Sequence, residues 1–181
     1  EMGTRLPLAG TPAGQEAVWV FAKGAWQTAT LPAGAETCRG ALPFTTGNLL
    51  RQAFKLLGES YDWGGREGRH DCSSFIQAVY RTMGVDLPRN SGDQAHIPGG
   101  HRIAFATGAP AAQRIAQLKT LRPGAILRLK GHVMLYLGDD GSGPRILHDF
   151  SSHAQLRPDG SLEVFRVMQV DVTPLSLRRK S

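Results

Sequence analysis

Two cysteines, Cys38 and Cys72, are all the chain has in 181 residues, so no disulfide framework supports its fold. No stretch approaches the ~20 uninterrupted apolar residues of a membrane helix, and no transmembrane segment is expected. Aromatic residues make up 7% of the chain, and Lys and Arg are scattered rather than clustered with them. Nucleic-acid binding is therefore disfavoured despite a net charge of +6. Close-spaced pairs such as Cys-x-x-Cys are missing, so neither a zinc site nor another cofactor is expected. The opening Glu1-Met2-Gly3 lacks the basic, apolar, small-residue progression of a secretory leader, so a leader is either removed or never present.

What remains is an ordinary globular composition, 41% apolar and 20% charged. The length suits one substantial core with room for a small appended module. The excess of basic residues implies attraction to an anionic partner, for which a polymer fits as well as a nucleic acid.

The stretch Tyr61-Asp62-Trp63-Gly64-Gly65-Arg66-Glu67-Gly68-Arg69-His70-Asp71-Cys72-Ser73-Ser74-Phe75 delivers a cysteine from a glycine-rich loop onto a helix. Phe75, Ile76, Val79, Tyr80 and Met83 recur at helical spacing, with Gly84 placed to end the run. Asp71 is then the N-cap and Cys72 the first helical residue. Unpaired backbone N–H groups and the helix dipole favour a thiolate there, lowering the pKa of Cys72 and making it a nucleophile. The competing reading packs Cys72 as a small apolar residue. If Cys72 is catalytic it stays reduced, which leaves Cys38 as a buried or idle thiol.

A nucleophilic cysteine needs a base, and the base needs an orienting group. His132 heads the apolar run Val133 to Leu137, and His148 lies inside Ile146 to Phe150 across a turn, where antiparallel pairing brings the two together. A buried imidazole needs partners, and Cys72 and His148 would supply them. Asp149 and His153 compete for the orienting role, but a regular strand turns Asp149 to the face opposite His148, and His153 falls in or beyond a turn. From these residues alone the chemistry is acyl transfer by a thiolate.

These motifs resemble those of the NlpC/P60 cysteine peptidases of bacterial cell walls. Tyr61 to Gly65 is similar to the family's Tyr-x-Trp-Gly-Gly loop, Asp71-Cys72-Ser73 to its helix start, Leu87-Pro88-Arg89-Asn90-Ser91 to its loop after the helix, and Gly131-His132 to its strand. The likeness runs from about Leu42 to Asp171, in the family's order. Ser74 departs from it, standing where glycine or another small residue is usual. The resemblance implies Cys72, His132 and His148 as the catalytic triad. It places Tyr61, Asp71, Ser73 and Arg89 at the substrate cleft, with Tyr61 assisting the oxyanion. It also implies a cell-envelope location and hydrolysis of peptidoglycan stem peptides, at the γ-D-glutamyl bond to the diamino acid, by a monomer. An amidase, transamidase or acyltransferase on the same scaffold, or a non-catalytic wall-binding module, are the alternatives. The anionic partner would be wall polymer.

Along the chain, Leu8 to Gly14 reads as loop and Ala17 to Phe21 and Ala25 to Leu31 as a hairpin around Lys23-Gly24. Leu49 to Leu57 reads as a helix behind Thr45-Thr46-Gly47-Asn48, Asp86 to Gly100 as loop, and Pro110 onward as a helix with Ala111, Ala112, Ile115, Ala116 and Leu118 apolar. Strands follow over Ala125 to Lys130, His132 to Leu137, Arg145 to Phe150, Ala154 to Arg157 and Leu162 to Val172, and the basic tail Leu177 to Ser181 frays. Helices followed by an antiparallel sheet make an α+β fold, and the resemblance makes it papain-like. Residues 1–44 form an N-terminal β segment expected to pack on a catalytic domain at 45–181, and the resemblance suggests that it could be the last hairpin of a Src-homology-three-like barrel.

Overall fold

A computed structural model describes residues 2–10, 16–65 and 67–175. Strands β1 (Leu8–Gly10), β2 (Ala17–Ala22) and β3 (Ala25–Thr30) form an antiparallel sheet in that order. Lys23 and Gly24 between β2 and β3 have φ of 53° and 78°, the left-handed pair of a type I′ turn, whose twist matches that of the strands. The loop expected over Leu8 to Gly14 is corrected in its first part. Leu8 pairs with Val18, and the Trp19 N–H donates to the Pro7 carbonyl at 2.8 Å. Three residues are too few to show a strand period. Thr11 to Gly14, Arg66 of the glycine-rich loop and the tail Leu177 to Ser181 lie outside the described residues.

Helix α1 (Thr46–Phe54) starts on Thr45, whose hydroxyl accepts from the Asn48 N–H at 3.2 Å. It buries Leu49 and Ala53, while Phe54 remains exposed. Helix α2 (Cys72–Arg81) is shorter than the apolar run suggested, ending on Thr82 before Gly84 turns left-handed. Within the expected loop Asp86 to Gly100, Asp93–His96 form one 3-10 turn. Helix α3 (Ala111–Leu118) forms where expected, with most of its apolar positions uncovered. Of its residues only Leu118 is buried, and Ile115 is exposed.

The second sheet is a four-stranded meander, β4 (Ile126–Leu129), β5 (His132–Asp139), β6 (Pro144–Leu156) and β7 (Leu162–Pro174), each strand antiparallel to the next. The two strands expected over Arg145 to Arg157 are one. Ser151-Ser152 reads as a break in sequence, yet the irregularity is absorbed across the ladder. Phe150 pairs with Gln169 and Ser152 with Arg166, leaving Val167 and Met168 bulged, with Met168 at φ 57°.

Phe75, Ile76 and Val79 of α2 are fully buried against Val133 and Leu135 of β5, Leu147 of β6, Val170 of β7, and Leu49 and Ala53 of α1. Removing such side chains from water stabilises by roughly 1.5–3 kcal/mol each. His132, Met134 and Tyr136 alternate onto the other face of β5 and are buried too. Near the N-terminus, Met2 packs on this core and the Leu42 N–H donates to the Thr82 carbonyl at 2.9 Å. Of the N-terminal hairpin, Ala17 and Val18 are buried, whereas Trp19, Phe21 and Trp26 are exposed.

Because a lysine at φ 53° is strained where asparagine is tolerated, Lys23→Asn should tighten the β2–β3 hairpin by a few tenths of a kcal/mol. Slower amide hydrogen exchange between Trp19 and Thr28 would show it, and unchanged or faster exchange would contradict it.

Candidate active site

The sequence around Cys72 folds by closing one turn of helix. Asp71 Oδ1 accepts from the backbone N–H groups of Ser73 at 3.1 Å and Ser74 at 2.9 Å, while the Asp71 N–H donates to Ser74 Oγ at 2.8 Å. This reciprocal capping box occupies two otherwise orphaned donors and makes Cys72 the first residue of α2. Ser74, the departure from the family pattern, is the residue that completes the box.

Arg89 grips the same carboxylate with two bonds, Nη2 to Oδ2 at 2.6 Å and Nη1 to Oδ1 at 3.1 Å, and also donates to Ser73 Oγ at 2.7 Å. Burial raises the Asp71 pKa, but the Arg89 hydrogen bonds and charge and the Ser74 bonds outweigh it and hold the carboxyl down to about 2. The stability this contributes is complete above the ordinary carboxylate range and is lost as pH falls through about 2. Gln94, buried on the 3-10 turn, donates to the carbonyls of Ser73 and Pro88 and holds the Arg89 loop against α2.

Tyr61 arrives from the other direction. Residues 58–61 run beside β7, with Gly58 N–H to Val170 O, Val170 N–H to Glu59 O and Tyr61 N–H to Met168 O, each at 2.9 Å. The left-handed residue of the β7 bulge therefore supplies the carbonyl that fixes Tyr61. Asp62 returns to His70 at 2.8 Å, and His70 Nδ1 lies 2.5 Å from Glu59 Oε1, which closes the glycine-rich loop.

A cleft of about 430 Å³ opens beside Cys72, a size within the range of ligand sites. Tyr61, Asp71, Ser73, Arg89 and His132 all line it. Trp63 of the glycine-rich motif lines it as well, together with Phe150, Ser151 and Ser152, which the sequence did not single out. The two serines looked like turn residues, and only the bulge shows that they belong to a strand beside the cleft.

Gly131, at φ 70°, occupies a left-handed position in the two-residue link between paired Leu129 and His132. This sets His132 first on β5, at the sheet end bordering the cleft. His132 Nε2 lies 2.8 Å from His148 Nδ1, and both rings are buried. His148 in turn has Nε2 at 2.9 Å from Thr173 Oγ1 and stacks flat on Phe150 with centroids 3.9 Å apart. Burial, then the charges of His132 and His153, push the His148 pKa down to about 3. It is therefore neutral in the physiological range. Thr173 gave no signal in the sequence, since its proximity depends on the β6–β7 register.

Asp149 points to the opposite face and does not reach His132. It is fully buried, with both carboxyl oxygens lacking a hydrogen-bond partner among the described residues. Burial first, then the negative charges of Glu59 and Asp71, raise its pKa to about 8. The expectation for His153 is corrected, because it lies within β6, paired with Phe165 and stacked on it. Cys38 is exposed rather than buried, and no disulfide joins it to Cys72. Among the described residues no cluster of His, Cys, Asp and Glu has the arrangement of a metal site.

An antiparallel sheet with a cysteine-headed helix packed on it and paired histidines at its end defines the class, a papain-like α+β domain. The NlpC/P60 family model matches residues 58–158, and the chain belongs to that family. A probable endopeptidase p60 from Listeria innocua is 45% identical over 47 residues, covering 25% of this chain and 10% of that protein. A γ-D-glutamyl-L-lysine dipeptidyl-peptidase from Bacillus cereus is 33% identical over 69 residues, covering 33% of this chain and 21% of that protein. The chain thus spans only a small part of the curated relatives it matches. An NlpC/P60 endopeptidase structure from Photobacterium damselae subsp. piscicida shares the fold with a TM-score of 0.72 at 21% identity, over 96% of this chain and 41% of that one.

Asp149 generates a stability prediction whose sign follows from linkage. Between the ordinary carboxylate range and about 8 the folded chain keeps this proton while the unfolded chain releases it, so Asp149 destabilises the fold progressively as pH rises. Replacement by valine, in a row with Val170, removes both the orphaned oxygens and the pH dependence. Asp149→Val should raise Tm by roughly 4–8 °C at pH 8, about what 2 kcal/mol gives in a domain of this size, and by less at pH 5. Equal changes at both pH values would show that Asp149 does not titrate as described.

Proposed function

We propose that the chain is a cysteine endopeptidase that hydrolyses peptidoglycan stem peptides between γ-D-glutamate and the diamino acid. The observation that carries this reading is the buried His132–His148 pair at 2.8 Å, of which His132 borders the cleft that Cys72 lines from the head of α2. His132 keeps Nε2 toward His148, which leaves Nδ1 to exchange protons with the thiol and the substrate. Cys72 Sγ attacks the scissile carbonyl as its proton passes to His132. The tetrahedral oxyanion is met by the Cys72 backbone N–H and the Tyr61 hydroxyl. His132 then protonates the leaving amine, the C–N bond breaks, and water releases the acyl group from sulfur by the reverse proton path.

Asp71, Ser73 and Arg89 form one polar surface of the cleft, where the amine and carboxylate groups of a stem peptide would be held. Because Asp71 is neutralised by Arg89, this surface orients the substrate more than it attracts charge. The choice of bond is supported by the similarity to the γ-D-glutamyl-L-lysine dipeptidyl-peptidase of Bacillus cereus. The net charge of +6 suits work on anionic wall polymer in the cell envelope. We assign residues 45–181 as the catalytic unit of a monomer and 1–44 as an accessory β segment, with Met2 and Leu42 tying it to the core.

Incubation with defined muropeptides, followed by weighing of the products, tests the activity. Cys72→Ala and Cys72→Ser should lower turnover by roughly 10⁴-fold or more while leaving the fold intact. His148→Ala should lower kcat by about 10–100-fold with little change in KM, with His148→Asn and His148→Gln retaining more. Products transferred to an added amine, in place of hydrolysis, would move the assignment to acyltransfer. Iodoacetamide should label Cys72 before the exposed Cys38, well below the ~8.5 pKa of an ordinary thiol. Equal labelling rates with undiminished activity would remove Cys72 as the nucleophile.

A further inference from the structure

Beyond the histidine pair the hydrogen-bonded chain continues, and its far end is Thr173. Thr173 sits on β7 opposite Ile146, two residues past the partner of His148, so its side chain shares the face of His148. Its Oγ1 lies 2.9 Å from His148 Nε2, and both side chains are buried. The His148 ring is further held flat against Phe150, so it has two defined nitrogen partners, His132 and Thr173.

A neutral imidazole carries one N–H, and the two tautomers have opposite consequences here. With the proton on Nε2, His148 donates to Thr173 and offers the Nδ1 lone pair to His132. His132 then carries its proton on Nε2 and has a lone pair on Nδ1, the state required of a base that takes a proton from a thiol. With the proton on Nδ1, His148 donates to His132 Nε2, and neutral His132 must hold its own proton on Nδ1. That state cannot receive a proton there, and the imidazolium form of His132 would face an N–H instead of a lone pair.

We propose that Thr173 is a positioning residue that selects the Nε2–H tautomer of His148 by accepting its hydrogen bond, and so keeps His132 competent as a base. The inference rests on the role given to His132 above, but the tautomer can be read without any substrate. Burial keeps His148 neutral, so the selection operates throughout the working pH range. Thr173 touches neither substrate nor nucleophile in this scheme and acts only through His148.

The experiment pairs histidine ¹⁵N–¹H NMR with pH-rate profiles for Thr173→Val, which keeps the shape and removes the acceptor, and Thr173→Ser, which restores the hydroxyl. In the unsubstituted protein His148 should be protonated on Nε2. Thr173→Val should shift it toward Nδ1–H, lower kcat about 10–100-fold with KM within about twofold, and narrow the pH profile from both sides, because the His132 imidazolium loses support. Thr173→Ser should recover the tautomer and most of the turnover. His148 protonated on Nδ1 in the unsubstituted protein would overturn the proposal. So would a folded Thr173→Val variant with unchanged tautomer, turnover and profile. If the tautomer responds but no muropeptide is cleaved by any form, the positioning role stands and the peptidase reading falls.

Discussion

The carboxylate of Asp71 closes the first turn of α2 and at the same time pins Arg89, so one side chain determines where Cys72 lies and what charge stands beside it. A helix N-terminus without such a cap leaves its N–H groups to water and frays. Here the cap is doubled through Ser74 and the outer oxygen is held by a guanidinium. The cost of burying a carboxylate is offset by that ion pair and the backbone donors, which is why Asp71 stays ionised in a buried position. The Gly64 N–H also reaches Asp71 Oδ2, at 3.3 Å, joining the glycine-rich loop to the same group. Loop, helix and the Arg89 segment therefore converge on a single side chain.

The sheet supplies the complementary constraint. Alternation along β5 sends Val133 and Leu135 to the α2 core and His132 to the other face. A histidine partway along that strand would be sealed between neighbours. At its first position, behind the left-handed Gly131, His132 is buried yet borders the cleft. The β7 bulge does related work at the opposite side of the site, since Met168 presents a carbonyl to Tyr61 and the register change carries Ser151 and Ser152 past the cleft.

Much of this was legible from local chemistry. Asp71 before Cys72 reads as a cap, Lys23-Gly24 as a tight turn, and the apolar alternation after Gly131 as a strand, because each depends on residues near in sequence. What escaped depends on pairing between distant segments. Thr173 becomes a neighbour of His148 only through the β6–β7 register, and Ser151-Ser152 looks like turn chemistry until the bulge on the partner strand is known. The apolar positions of α3 mislead for a different reason. Periodicity shows that a helix has an apolar side but not that anything covers it, and Ile115 remains exposed.

Asp71 and Asp149, two carboxyl groups within electrostatic reach of each other, end in opposite protonation states, and the difference is one of partners rather than depth alone. Asp71 has Arg89 and three backbone N–H groups and is ionised; Asp149 has no such donor among the described residues and holds its proton to about 8. Were Asp149 ionised as well, a second negative charge would lie within electrostatic reach of Asp71, the N-cap of α2. Like charges in a poorly solvated setting repel strongly, so the proton on Asp149 removes a charge that would act against the ionised Asp71. Its burial costs stability at neutral pH, but it leaves Asp71 and Arg89 as the charged pair at the head of α2.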